Sequence, residues 1–330
     1  MFCFSMKQGT ALAIAIALME SPASAAKVEE GYLKAEEGVY LFYQKIGAGK
    51  NVIIFPLRQF LFEPFQKLAR NDRTLIFYDV RNRGRSTAVP DSDRISIQRD
   101  VEDVETVRAR FGVHRFSLVG FSYAGLMVAM YAMEHPDRIE RLVQLGPVPL
   151  KFGTPYPKEF MADDLDRVPD PAELAKLSEL RKQGVSESEP KQYCEREWAV
   201  ERFRLVGNPA FVDRLGAGPC QMPNEWHANL SRHFRYHFAS VQQLAIDAEK
   251  VRALTQPVLT IHGTKDRNAP YGSGRESASR LPRGRLVTVE GAAHCPWAEA
   301  PDVILSAIDE FLNGKWPANA RKIDSAQADR

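Results

Sequence analysis

The stretch F-S-L-V-G-F-S-Y-A-G-L-M-V-A, residues 116–129, decides how the rest of the chain is read. An apolar run reaches Gly120, a lone hydroxyl follows at Ser122, and small residues come next at Ala124, Gly125 and Ala129. This is the pattern of a buried strand that turns sharply into a helix and leaves a serine exposed at the bend. The second glycine of the usual Gly-x-Ser-x-Gly spacing is replaced by Ala124, which is small enough for the turn, and Gly125 follows one place later. Ser122 is therefore the first candidate for chemistry.

On either side, buried strands alternate with helices. Upstream, residues 32–35 and 39–43 alternate as edge strands, 51–55 and 74–80 read as fully apolar strands, and 62–69 has helical spacing between them. Ser96 is placed to cap a helix whose apolar stripe is Val101, Val104, Val107 and Phe111, ended by Gly112. Residues 115–119 form the strand before Ser122, and 139–145 the next one. After a long interruption the alternation resumes with strands at 258–261 and 285–289 and helices at 273–280 and 303–312. Such alternation predicts an α/β fold with a mostly parallel sheet and helices on both faces.

The interruption, residues 147–245, is rich in proline and carries helical pieces such as 172–181 and the aromatic segment 226–238. A structureless loop of that length is improbable inside a compact domain, so the segment reads as a helical cap. It divides the core into 26–146 and 246–314, and the polar residues 315–330 read as a loose tail. Residues 1–25 read as a leader: Lys7, an apolar run over 11–19, and Ala23-Ser24-Ala25 as the cleavage site. The expected location is secreted or periplasmic. No later stretch approaches the roughly 18 to 20 uncharged residues of a membrane span. In an oxidising compartment two of Cys194, Cys220 and Cys295 can pair. Cys194 with Cys220 is favoured, because both lie in the one segment outside the alternation.

Two further motifs place acid and base beside the serine. P-V-L-T-I-H-G-T-K-D puts Asp266 on a loop just past one strand, and V-T-V-E-G-A-A-H puts His294 just past the next. Catalytic groups of open α/β sheets gather at this carboxyl edge. The order Ser122, Asp266, His294 and these three motifs make the chain similar to the α/β-hydrolase superfamily over residues 39–312. It most resembles the esterase, lipase and proline-iminopeptidase-like group, with a helical cap after the sixth strand. The resemblance implies Ser122 as nucleophile, His294 as general base and then acid, and Asp266 as the group that orients the imidazole. It also implies an oxyanion site built from the Tyr123 backbone N–H and a second donor after the third strand. There the family's His-Gly pair is replaced by Pro56 and Leu57; proline has no N–H, so Leu57 or Arg58 must donate. The turn V-R-N-R-G-R-S resembles the family's D-x-R-G-x-G-x-S, with Asn82 in place of the first glycine.

Forty-four lysines and arginines against 42 acids leave a net charge of only +2, which gives no reason to expect nucleic acid as a partner. A small-molecule or peptide substrate is the expectation, with neither metal nor organic cofactor. His262 reads as a packed core histidine, Cys295 as a buried small hydrophobe, and Arg58, Arg81, Arg83 and Arg85 as surface charge balanced elsewhere. Trp226, Phe234, Tyr236 and Phe238 either line an acyl pocket or pack within the cap. The expected function is an exported serine hydrolase that cleaves a small ester. The alternatives are an aminopeptidase of the proline-iminopeptidase type, with a carboxylate among Glu195, Glu197, Glu201 and Glu225 holding the substrate ammonium, and a non-catalytic ligand-binding protein of the same fold.

Overall fold

Runs of β-branched and aromatic residues without polar alternation belong inside a sheet covered on both faces. The computed structural model describes residues 27–162, 170–244 and 246–324, and in it these runs form one eight-stranded sheet. The leader expected over residues 1–25 and the last residues, 325–330, lie outside the described part. The strands are β1 (Val28–Glu36), β2 (Val39–Ile46), β3 (Asn51–Pro56), β4 (Arg73–Tyr78), β5 (Phe116–Phe121), β6 (Ile139–Leu145), β7 (Val258–Gly263) and β8 (Gly284–Val289). Their spatial order is β1-β2-β4-β3-β5-β6-β7-β8. Only the β1–β2 and β2–β4 pairings are antiparallel. Every residue of β4, β5 and β7 is buried, which is why these strands read as continuous apolar runs.

The chain leaves β3 toward β4 on one side and returns through β5 on the other. This reversal opens a crevice outside the carboxyl ends of β3 and β5, where such sheets bind ligands. The helices of the first half are α1 (Arg58–Phe65), α2 (Ile97–Arg110) and α3 (Tyr123–Glu134). Ser96 caps α2 as its sequence predicts, its hydroxyl accepting from Arg99 N–H at 3.2 Å, and Val101, Val104 and Val107 are buried. Helix α1 begins four residues earlier than its apolar spacing predicts and ends in a 3-10 turn at Gln66–Leu68.

Between β6 and β7 lie α4 (Pro171–Lys182), α5 (Val185–Ser188), α6 (Pro190–Glu201), α7 (His227–Gln242) and α8 (Ala248–Ala253). Leu177, Tyr193 and Val200 give this helical insertion a small core of its own. A disulfide joins Cys194 on α6 to Cys220, with the two Cα atoms 5.7 Å apart. The second half of the core closes with α9 (Tyr271–Arg280), α10 (Pro296–Glu299) and α11 (Pro301–Leu312). The chain beyond Lys315, expected to be loose, lies against the core as far as Ile323. Arg321 and Leu286 exchange backbone hydrogen bonds of 2.8 Å, the Trp316 ring sits 4.9 Å from that of Phe311, and Ala320 and Ile323 are buried.

Two of the arginines expected at the surface are buried instead. Arg81 forms a two-pronged pair with Asp103 (2.7 and 2.8 Å) and also reaches Glu36 at 2.6 Å. Such pairing satisfies the charges of a desolvated guanidinium. Asp103 is thereby committed to structure. Asp79, at the end of β4, is held differently: its carboxylate accepts from the backbone N–H groups of Gln59 (3.1 Å) and Arg85 (2.8 Å). It fixes both the first turn of α1 and the turn after β4.

Burial pushes the Asp79 carboxyl up to about 6, although the two backbone donors oppose the shift. The folded chain thus keeps this proton to higher pH than the unfolded chain, so the group costs stability as pH rises from about 4 to about 6 and costs no more above that window. The difference is on the order of 3 kcal/mol. Denaturant melts of the wild type and Asp79→Asn across this range should diverge, the variant lacking that part of the decline. Parallel pH dependences would refute the assignment.

Candidate active site

The loops that leave the carboxyl ends of the parallel strands bring the sequence candidates to one edge: Leu57 after β3, Ser122 after β5, Asp266 past β7 and His294 past β8. Ser122 has φ 56° and ψ −125°, a conformation that L-residues avoid at a cost of about 1–3 kcal/mol. The bend is held by Ser122 N–H donating to Leu145 O and by Gly125 N–H donating to Ser122 O, each at 2.9 Å. Gly120 is required because a side chain there would run into Ala124 O. The strained turn sets the hydroxyl at the head of α3, with the Tyr123 N–H in the first helical position, where backbone donors have no partner within the helix.

Asp266 and His294 meet directly. His294 Nδ1 donates to Asp266 Oδ2 at 2.7 Å, and both side chains are buried. Since a carboxylate only accepts, this contact puts the imidazole proton on Nδ1 and leaves Nε2 as the basic nitrogen. The other partners of Asp266 are the N–H groups of Asn268 and Ala269, both 2.9 Å from Oδ1, and His262 Nε2, 3.1 Å from Oδ2. Burial alone would push the Asp266 carboxyl up, but His294 and His262 outweigh it and hold the group well below the usual carboxylate range. The His294 ring rests on that of Phe121, with centroids 4.6 Å apart. Gly146, at φ 49°, makes room for the pair: a Cβ there would lie 3.0 Å from Asp266 Oδ2 and 3.3 Å from His294 Nδ1.

The loop after β3 has its own strain. Leu57 lies at φ 63°, ψ 48°, the left-handed region that costs a non-glycine residue roughly 1–2 kcal/mol. Gln59 N–H is taken by Asp79, and the Phe60 and Leu61 N–H groups donate to Leu57 O. The N–H groups of Leu57 and Arg58 are left at the head of α1. The Arg58 guanidinium turns away, donating to Gln44 Oε1 at 2.7 Å.

A cavity of about 410 Å³ opens over this edge, lined by Ser122, His294, Leu57 and Tyr123 from the core and by α6 and α7 of the insertion. Its walls are largely apolar and include the rings of Phe60, Phe121, Trp198, Phe234 and Phe238. Phe234 and Phe238 thus do line the pocket. Trp226 turns its indole N–H to Cys220 O at 2.9 Å, and Tyr236 packs on the main core. Phe60, Phe121 and Trp198 escape sequence reasoning, since nothing in their local pattern distinguishes them from core residues.

Arg83 and Glu225 are the buried charges of this cavity. Arg83 Nε and Nη2 donate to the two carboxylate oxygens of Glu225 at 2.9 and 2.8 Å, and Gly84 N–H donates to the same carboxylate at 2.7 Å. The pair fastens the insertion to the turn after β4, contrary to the surface role expected of Arg83. Cys295 is free and buried, as expected, and burial pushes its thiol well up. His262 is fully buried, as a core histidine should be, but its contact with Asp266 goes beyond packing. His233 and His237 are also fully buried, stacked 4.9 Å apart behind the Tyr123 ring.

Known proteins resemble the chain along most of its length. A family model described as "alpha/beta hydrolase fold" matches residues 61–301. The AB hydrolase superfamily protein YisY of Bacillus subtilis is 25% identical over 86% of this chain and 98% of its own length. The esterase YbfF of Escherichia coli is 25% identical over 74% of this chain and 84% of its own. The proline iminopeptidase of Saccharolobus solfataricus is 26% identical over 89% and 96%. Among solved structures, a meta-cleavage product hydrolase superposes with a TM-score of 0.65 at 17% identity, covering 86% of this chain and 98% of that one. The sheet order, the strained turn at Ser122 and the extent of the family match lead to one conclusion: the chain belongs to the α/β-hydrolase family.

Proposed function

We propose that this protein is an exported serine hydrolase that cleaves esters with an apolar acyl or alcohol group through an acyl-enzyme. The observation that carries the reading is the 2.7 Å contact between Asp266 and the His294 imidazole, at the wall of the cavity that also holds Ser122 on its strained turn. A serine hydroxyl is a weak nucleophile at neutral pH and needs a base held in one tautomer. In this reading Ser122 Oγ attacks the ester carbonyl carbon as its proton passes to His294 Nε2. The oxyanion accepts from Tyr123 N–H and from the N–H of Leu57 or Arg58; one such donor contributes roughly 2.7 to 4 kcal/mol. Collapse expels the alcohol, which takes the proton from His294. Water then gives a proton to His294 and attacks the acyl-enzyme, releasing the carboxylic acid and restoring Ser122.

The aromatic walls favour an apolar substrate group over a peptide amine. Glu225, a candidate for holding a substrate ammonium, already has Arg83 as its counter-ion. Glu201 reaches Arg204 at 3.2 Å, and Glu197 lies 3.5 Å from His227. Of the four carboxylates considered, Glu195 does not line the cavity. Export rests on the leader pattern of residues 1–25 and agrees with the Cys194–Cys220 disulfide.

A fluorophosphonate probe should label the purified protein and fail to label Ser122→Ala; an unlabelled wild type would sink the enzyme reading in favour of a binding protein. Asp266→Asn should remain folded and lose about 10³- to 10⁴-fold in kcat, because the imidazole loses its orienting carboxylate. Turnover of p-nitrophenyl esters should exceed that of prolyl and alanyl arylamides. The opposite preference would replace the esterase reading by an aminopeptidase.

A further inference from the structure

Behind one wall of the catalytic cavity lies a second cavity of about 420 Å³, open to the surface. The two share Phe60, Trp198, Leu205, Pro219 and Cys295, so one set of side chains separates them. The second is lined by the apolar Leu215, Trp297, Ala298 and Leu305 and by the exposed Glu63, Lys67 and Arg214. Each cavity alone stands at the lower end of the range of roughly 300–1,000 Å³ for ligand sites, and together they reach its upper half.

Trp198 is the largest side chain in the wall and is held by packing. Its Nε1 is buried and has no hydrogen-bond partner among the described residues. The indole lies across Gly218, whose φ of 72° and lack of Cβ let the ring approach. Trp198 also follows Cys194 by one helical turn on α6, and Cys194 is bonded to Cys220, next to Pro219. The disulfide therefore ties together the two halves of the wall, the α6 face and the 218–220 loop.

We propose that the second cavity is a subsite for the distal part of a long apolar chain on the substrate, and that Trp198 sets the chain length at which it must cross from the first cavity into the second. The inference rests on the hydrolase reading above for its kinetic test. It gives a role to the space of similar size on the far side of the wall that Trp198 forms with Phe60, Leu205, Pro219 and Cys295. The chain belongs either to the acyl or to the alcohol part of the ester, and the experiment distinguishes the two.

The test measures kcat/KM for p-nitrophenyl esters from acetate to palmitate, and for acetate esters of alcohols of matching length. In Trp198→Ala, kcat/KM should go on rising with chain length beyond the wild-type limit, by up to about fourfold per added methylene. The ratio of long- to short-chain substrates should then increase at least tenfold in the series whose chain enters the subsite. Leu305→Trp, which fills the second cavity from α11, should lower that ratio in the wild type and cancel the gain in the double variant. An unchanged ratio in Trp198→Ala with a native circular dichroism spectrum overturns the proposal, as does a gain indifferent to Leu305→Trp. Calorimetric binding of dodecanoate and butyrate requires no turnover. Weaker dodecanoate binding in Leu305→Trp, with butyrate unaffected, supports the subsite even if no ester is cleaved and the hydrolase reading falls; equal binding of dodecanoate to both proteins refutes it.

Discussion

A carboxylate taken out of water at the end of β7 remains ionised only because donors converge on it. Asp266 receives hydrogen bonds from two backbone N–H groups and two imidazoles. An isolated buried carboxylate would take up a proton instead. The backbone donors come from the turn that follows Asp266, so the loop that carries the acid also stabilises its charge. Of the imidazoles, His262 is held inside β7 and His294 comes from the loop after β8. The charge thus depends on three neighbouring pieces of chain keeping their register. Gly146, from the end of β6, must stay without a side chain for the same contact to form.

A second electrostatic contact joins the insertion to this edge. Glu225 precedes α7, and Arg83 lies in the turn after β4; with both nearly inaccessible to water, neither can afford to lose the other. The pair sits in the cavity beside Phe60 and Phe234, whose rings flank the guanidinium at 5.9 and 5.4 Å. Charge neutralisation and aromatic packing therefore locate the insertion over Ser122 together. The disulfide acts beside this contact, joining α6 to the loop before α7, with Cys194 Sγ 3.8 Å from Glu225 O.

How far the sequence revealed this arrangement follows from which interactions are local. Buried parallel strands announce themselves because both faces are apolar, and β4, β5 and β7 were legible for that reason. The helix after Ser96 was legible because its cap is its own neighbour. Helix α1 was placed too late because it has no local cap. Leu57 precedes it, and the acceptor for Gln59 N–H is Asp79, twenty residues away at the end of another strand. Arg81 and Arg83 looked like surface charge because Asp103 and Glu225 are far along the chain. The segment after Lys315 looked loose because its pairing with Leu286 is tertiary. Ser122, Asp266 and His294 could be picked out because each lies in a short motif at a strand end. Trp198 could not, since its importance comes only from the two cavities it divides.

Leu57 joins these strands. The backbone takes there, at a leucine, the left-handed turn that glycine adopts freely. The structure accepts roughly 1–2 kcal/mol of strain and recovers part of it by burying the leucine side chain, which is 2% exposed, against the core. Because Asp79 anchors the next N–H, the strained residue and the Arg58 N–H after it cannot relax into a regular helical start. The strained turn therefore sets Leu57 in the lining of the cavity that also holds Ser122.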